Sequence, residues 1–228
     1  MDKLFTAALI ALSATLIAEV DYKEQTKQSY DATAEDYHAN TLKLLPEVKA
    51  RSFLSHLPAQ AKILDVGCGS GRDAGYFVEK GHAVTGIDIA PKMIGLARVL
   101  VPEATFAVGD IETTLFTMNF FDGVWASASL LHVSKQEMPA VLQKIHSTLK
   151  PGGVFYISMK KGEGETLQPD ERYGGVPKFW NYMDDQELIA MLINQGFEIL
   201  EHDVHEKSTS YQTHPWISVV CKKCSQGK

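Results

Sequence analysis

Between Asp65 and Gly71 the chain runs Asp-Val-Gly-Cys-Gly-Ser-Gly. Alternating glycines let a backbone turn tightly and approach a ligand with no Cβ in the way. Twenty-one residues after Gly67 stands Asp88, closing the apolar run Val84-Thr85-Gly86-Ile87. A carboxylate at that separation from a glycine turn can accept hydrogen bonds from both hydroxyls of a ribose, so the pair points to a nucleoside ligand. A purely structural turn and a solvated loop acid are the competing explanations, and finding both features at this spacing weakens each. The dinucleotide fingerprint G-x-G-x-x-G wants its last glycine where this chain has Arg72. That departure counts against a nicotinamide cofactor.

Other reactive side chains say less. Cys68, Cys221 and Cys224 cannot build a disulfide framework. Cys221-Lys-Lys-Cys224 has no second pair of ligands to complete a zinc site. It is expected to be a strand residue followed by a tail thiol. His38, His56, His82, His146, His202, His205 and His214 show no metal spacing, so no metal is expected.

These residues need elements to position them. Ile63–Val66 is a short apolar run ending in glycines, which predicts a buried strand. A helix is expected over 72–80, closed by Gly81, then a strand at 84–87 and a helix from Pro91. Further strands are expected at 105–108, 123–126 and 154–159, with a helix from Met138 to Leu149 before Pro151-Gly152-Gly153. Asp184 and Glu187 suggest a capping box for a helix ending at Gly196. Strands at 197–200 and 216–221 would finish the chain. Strictly alternating strands and helices imply an α/β fold, a parallel sheet with helices on both faces and its ligand at the carboxyl ends of the strands.

The segments resemble the motifs of class I S-adenosylmethionine-dependent methyltransferases. Ile63–Gly71 is similar to their first motif, Val84–Met93 to the second, and Val108-Gly-Asp-Ile-Glu112 to the segment after strand three. Phe121–Ala126 and Leu149–Val154 are similar to the strand-four motif and the approach to strand five. The resemblance covers residues 62 to about 160 in the family's order. It implies a Rossmann-like seven-stranded sheet in the order 3-2-1-4-5-7-6, strand 7 antiparallel. Gly67, Cys68 and Gly69 would then meet the methionine and ribose part of S-adenosyl-L-methionine, and Asp65 its ammonium. Asp88 would bind the ribose, with Ile89 and Met93 beside the adenine. Asp110 would accept from the adenine amino group and the Ile111 amide would donate to the ring. Ala126 and Ser127 would lie beside the methionyl moiety. Tyr30 and Tyr37 sit in a segment that resembles a lid over the cofactor, although aromatic core packing explains them equally well.

The resemblance implies methyl transfer to an O or N of a small-molecule acceptor, leaving S-adenosyl-L-homocysteine. His132, just past strand four, is the candidate catalytic base, with a histidine capping the next helix as the alternative. Arg172, Tyr173 and Trp180, in an insertion over 163–180, could recognise the acceptor, Arg172 being suited to a carboxylate or phosphate. A surface loop with an aromatic anchor is the competing picture. A non-catalytic S-adenosylmethionine-binding regulator and an RNA base methyltransferase are the other functional classes.

The 228 residues fit one larger domain, and 45% hydrophobic content is enough to bury a core. A net charge of −6 opposes a duplex-binding face, so no nucleic-acid partner is expected. Residues 1–20 form an apolar N-terminal segment, signal-like or a docking helix, too short for a stable membrane span. The remaining 21–228 would be the methyltransferase domain, opened by a helical lid over 21–57. A cytoplasmic monomer or homodimer is expected.

Overall fold

The computed structural model describes residues 21–206 and 214–224, and the apolar segment 1–20 lies outside them. Three helices open the described chain: α1 (Tyr22–Ala32), α2 (Ala34–Thr41) and α3 (Glu47–Ser55). Strands and helices then alternate as β1 (Lys62–Val66), α4 (Arg72–Glu79), β2 (Ala83–Asp88), α5 (Pro91–Leu100), β3 (Thr105–Val108), β4 (Phe121–Ser127), α6 (Met138–Thr148) and β5 (Leu149–Lys160). After these come a hairpin of β6 (Glu165–Pro169) and β7 (Pro177–Asn181), then α7 (Asp185–Asn194), β8 (Phe197–His205) and β9 (Trp216–Lys223).

The main sheet has the order β3-β2-β1-β4-β5-β9-β8. The first five strands are parallel, and β9 runs antiparallel to both β5 and β8. With the separate β6–β7 hairpin set aside, this is the 3-2-1-4-5-7-6 order that the resemblance implies. Successive side chains of a strand point to opposite faces. Val124 and Ala126 therefore join one core layer while Trp125 joins the other, and Phe155 and Ile157 are likewise split from Tyr156. Both faces are covered, which is why these strands are written as unbroken apolar runs.

One alternative falls and two expectations need correction. The insertion is not the surface loop of the competing picture but an ordered hairpin, with Glu165 to Pro169 registered against Asn181 to Pro177. The segment 21–57 does not act as one piece: Phe53 of α3 is fully buried against Phe77 and Trp125 on the sheet. Asp184 does cap α7, accepting from the Gln186 amide, but the box does not close, because Glu187 pairs with Lys135.

Candidate active site

The turn after β1 is fixed by sterics and by hydrogen bonds to β2. Gly67 has a φ of +68°, and a Cβ there would lie 2.3 Å from Ser129 Cβ. No other residue fits that contact. The Gly67 and Cys68 amides both donate to the Ile87 carbonyl, at 2.8 and 3.0 Å. The Gly69 amide donates to Asp88 Oδ2 and the Ala90 amide to Asp88 Oδ1, each at 2.9 Å. An ionised carboxylate has about four acceptor positions, so each Asp88 oxygen can take a further donor. Burial pushes the Asp88 pKa up to about 6, the Ala90 and Gly69 amides pulling against it and Asp31 adding repulsion.

Asp65 sits beneath this turn and is 2% exposed. Its Oδ2 is buried with no hydrogen-bond partner among the described residues. Burial, and then the neighbouring Asp73 charge, push its pKa well above the usual carboxylate range, with Arg72 opposing. Asp73 itself is held by Arg72 and by the Trp125 indole N–H at 2.8 Å. A buried acceptor left without a donor is rare in proteins. Here it lies in the wall of a cavity, where a ligand's cationic group would satisfy it.

That cavity holds about 1030 Å³ of space continuous with solvent. It is lined by Tyr30, Tyr37, Asp65, Gly67, Cys68, Gly69, Asp88, Ile89, Met93, Asp110, Ile111, Ser127 and His132. Thirteen of the residues singled out in the sequence thus face one space. Ala126 does not: it is fully buried, and the lining after β4 is Ser127, Ala128 and Ser129. Ala128 takes a φ of +53°, the kind of backbone strain that concentrates at functional sites. Arg172, Tyr173 and Trp180 also lie outside the lining. Tyr173 packs on Tyr37, with ring centroids 5.5 Å apart, and Trp180 on His132 at 4.9 Å, so both stand one side chain behind the wall.

His132 is held at both ring nitrogens. Nδ1 lies 2.6 Å from the Phe179 carbonyl, which only accepts, so Nδ1 carries the proton. Nε2 then accepts from the Tyr30 hydroxyl at 2.8 Å. Burial pushes the imidazole down to about 3, with Lys178 and Lys160 adding repulsion, so it is neutral at physiological pH.

Sequence reasoning missed Lys23 and Thr26, which line the cavity beside Tyr30. Their spacing from Tyr30 puts all three on one face of α1, a helical period that was available to read. It also missed the buried Lys160 and Lys178, for which no periodic signal exists. Among the described residues no group of three or more His, Cys, Asp or Glu could hold a metal. No helix among them is long and apolar enough to cross a membrane.

The seven-stranded order and a glycine turn facing an acid on the next strand define a Rossmann-like methyltransferase fold. A profile for a methyltransferase domain matches residues 63–153. An uncharacterised methyltransferase of Synechocystis sp. is 36% identical over 96 residues, 42% of this chain and 45% of that protein. Trans-aconitate 2-methyltransferase of Delftia acidovorans is 33% identical over 143 residues, 60% of this chain and 53% of the relative. The chain therefore spans about half the length of these curated relatives. A crystal structure of the Burkholderia thailandensis 1,6-didemethyltoxoflavin-N1-methyltransferase, with bound S-adenosylhomocysteine, superposes with a TM-score of 0.72 at 23% identity, covering 90% of each chain. Residues 63–153 thus match a methyltransferase domain, and the chain has the fold of the class I S-adenosylmethionine-dependent methyltransferases.

Proposed function

We propose that this protein methylates an oxygen or nitrogen of a small-molecule acceptor. The observation that carries the proposal is the unpartnered, buried Asp65 oxygen in the same cavity as Asp88 and the open face of Gly69. A Cβ on Gly69 would meet nothing within 4 Å, so space is kept where the backbone can approach a ligand. S-adenosylmethionine, when bound, supplies a methyl group already activated on a sulfonium. Asp65 and the backbone of Gly67, Cys68 and Gly69 would hold its methionine part, and Asp88 its ribose. Ile89 and Met93 would flank the adenine, with Asp110 and the Ile111 amide on its polar edge. Ser127 would stand beside the methionyl group.

The chain's own work is then positioning and exclusion of water. Holding two reactants in line supplies about 7–11 kcal/mol of a barrier. Helices α1 and α2, carrying Tyr30 and Tyr37, would act as the lid that keeps water out. His132 suits a positioning role better than proton abstraction. Its accepting nitrogen is filled by Tyr30, and a proton taken there would not be retained near neutral pH. The acceptor then arrives already nucleophilic.

Titration with S-adenosylhomocysteine tests the cofactor site: binding is expected in the parent protein, and Asp88→Ala should weaken it at least tenfold. Equal affinity in the two proteins would remove the proposal. Labelled S-adenosylmethionine incubated with metabolite extracts tests turnover. Binding with no labelled product would favour the non-catalytic regulator.

A further inference from the structure

We propose that the acceptor is anionic, and that its carboxylate or phosphate is received by a buried cation cluster of Lys160, Lys178 and Arg172 behind the Tyr30–Tyr37 wall. The inference rests on the methyltransferase assignment of the cavity and names the acceptor's chemistry.

Lys178 is fully buried and Lys160 is 4% exposed. Buried ammonium groups are normally paired. Asp170 supplies one carboxylate, and it is shared: Arg172 takes it through Nε and an Nη atom, both at 2.8 Å, and Lys178 Nζ lies 3.3 Å away. Lys160 makes no hydrogen bond or ion pair among the described residues; its Nζ rests 3.3 Å from the Trp180 ring centroid. Lys178 and Arg172 thus share the Asp170 carboxylate, while Lys160 has no ion-pair partner among the described residues. The rings of Tyr30 and Tyr173, 4.2 and 4.5 Å from Lys178 Nζ, stabilise its ammonium further.

A hairpin needing only a structural anchor would be served by Asp170 and Lys178 alone. Lys160 has no such explanation, and its place at the carboxyl end of β5 is where ligands of these sheets bind. The cluster also packs against the wall of the cavity at two points. Lys178 packs on Tyr30, which lines it, and Trp180, beneath Lys160, packs on His132, which lines it too. Asp170 displays the ligand these cations accept: a planar oxyanion gripped side-on by Arg172. A carboxylate acceptor is nucleophilic without a base, in keeping with the filled Nε2 of His132.

Burial lowers Lys160 to about 7, with Arg172 and Lys178 reinforcing and Asp170 opposing. Burial likewise lowers Lys178 to about 8, against the pull of Asp170. Tyr30, Tyr37, Tyr173 and His132 are the other titratable groups facing these lysines. An arriving anion favours both ammonium forms, so its binding at pH 8 should take up protons.

The test is calorimetric titration of the protein saturated with S-adenosylhomocysteine, using malonate, citrate and inorganic phosphate, with neutral malonamide as control. At least one anion is expected to bind saturably, with buffer-dependent proton uptake at pH 8, and malonamide is not. Lys160→Met and Lys178→Met should each weaken that binding at least tenfold while S-adenosylhomocysteine affinity stays within twofold. Should Lys178→Met fail to fold, Lys160→Met and proton uptake by the parent protein decide the matter. Intact S-adenosylhomocysteine binding with no anion bound, or with Lys160→Met equal to the parent, overturns the anion site alone. Loss of S-adenosylhomocysteine binding in the parent overturns the cofactor assignment instead.

Discussion

Gly67 and Gly69 stand two residues apart and both take left-handed backbone, yet a methyl group added to each meets different surroundings. At Gly67 it would strike Ser129 Cβ, and at Gly69 it would enter open space. Gly67→Ala therefore combines backbone strain with overpacking and is expected to cost about 3 kcal/mol of stability. Gly69→Ala carries only the backbone term, about 1 kcal/mol. Its methyl, however, occupies the ligand's side of the turn, so S-adenosylhomocysteine affinity should fall more than tenfold. Urea denaturation and ligand titration of the two variants separate these effects, and equal stability losses would contradict the argument. Asp88 adds a pH dependence. Its pKa is raised from 3.8 to about 6, so the folded protein holds this proton more tightly than the unfolded chain, and the stability Asp88 contributes at low pH is lost as pH rises through 6. A ribose needs the ionised form. Affinity for S-adenosylhomocysteine should be flat above pH 7 and fall about tenfold per unit well below 6. Asp65 shifts in the same direction, and Asp88→Asn isolates the Asp88 share by flattening its part of the profile.

At the scale of elements, the β6–β7 hairpin connects lid to site. Thr26 of α1 accepts from the Phe179 amide at 3.1 Å, and the Phe179 carbonyl in turn holds His132. Asn181 Nδ2 donates to the Val133 carbonyl at 2.9 Å, tying the same strand to the segment after β4. Thr26→Val leaves a buried amide without an acceptor, a loss of about 1–3 kcal/mol. The expected result is a lower melting temperature together with faster hydrogen exchange at the Phe179 amide. Unchanged exchange there would mean that α1 does not secure the hairpin. This hairpin was not legible in the sequence, for a physical reason. β7 is buried on both faces, but one of its buried residues is Lys178, whose charge is met by Asp170 and by aromatic rings from distant parts of the chain. Lysine otherwise marks an exposed position, so the strand pattern is masked. The strands β1, β2 and β4 were legible because no such partner is needed: each is built on an apolar run, β1 running into a glycine turn and β2 ending in an acid. Asp88 could be placed by its spacing from Gly67, and Asp65 through the resemblance of Ile63–Gly71 to a methyltransferase motif. The closed state of His132 could not, since both its partners come from elements far away in the chain.

Across the whole molecule, ligand binding should act on one edge of the sheet. The glycine turn, Asp88 and the segment after β4 all follow carboxyl ends of parallel strands, and α1 and α2 close over them, whereas β8 lies at the far side of the sheet. A ligand that binds only the folded protein adds about 2.7 kcal/mol of stability at a hundredfold excess over its Kd. For a domain of this size that corresponds to a rise of about 5–10 °C in melting temperature. The gain alone would not locate the site, because global unfolding reports it from every residue. Exchange at short times does locate it, since it samples local opening rather than unfolding. With S-adenosylhomocysteine, protection should increase at residues 67–71 and 88–90, whose amides form the turn, and in α1 and α2. β8 should exchange as before. Protection confined to the turn, with α1 and α2 unchanged, would show a cofactor site without a lid. Protection at β8 but not at the turn would place the ligand elsewhere, and the cavity beside Asp65 would lose its assigned occupant.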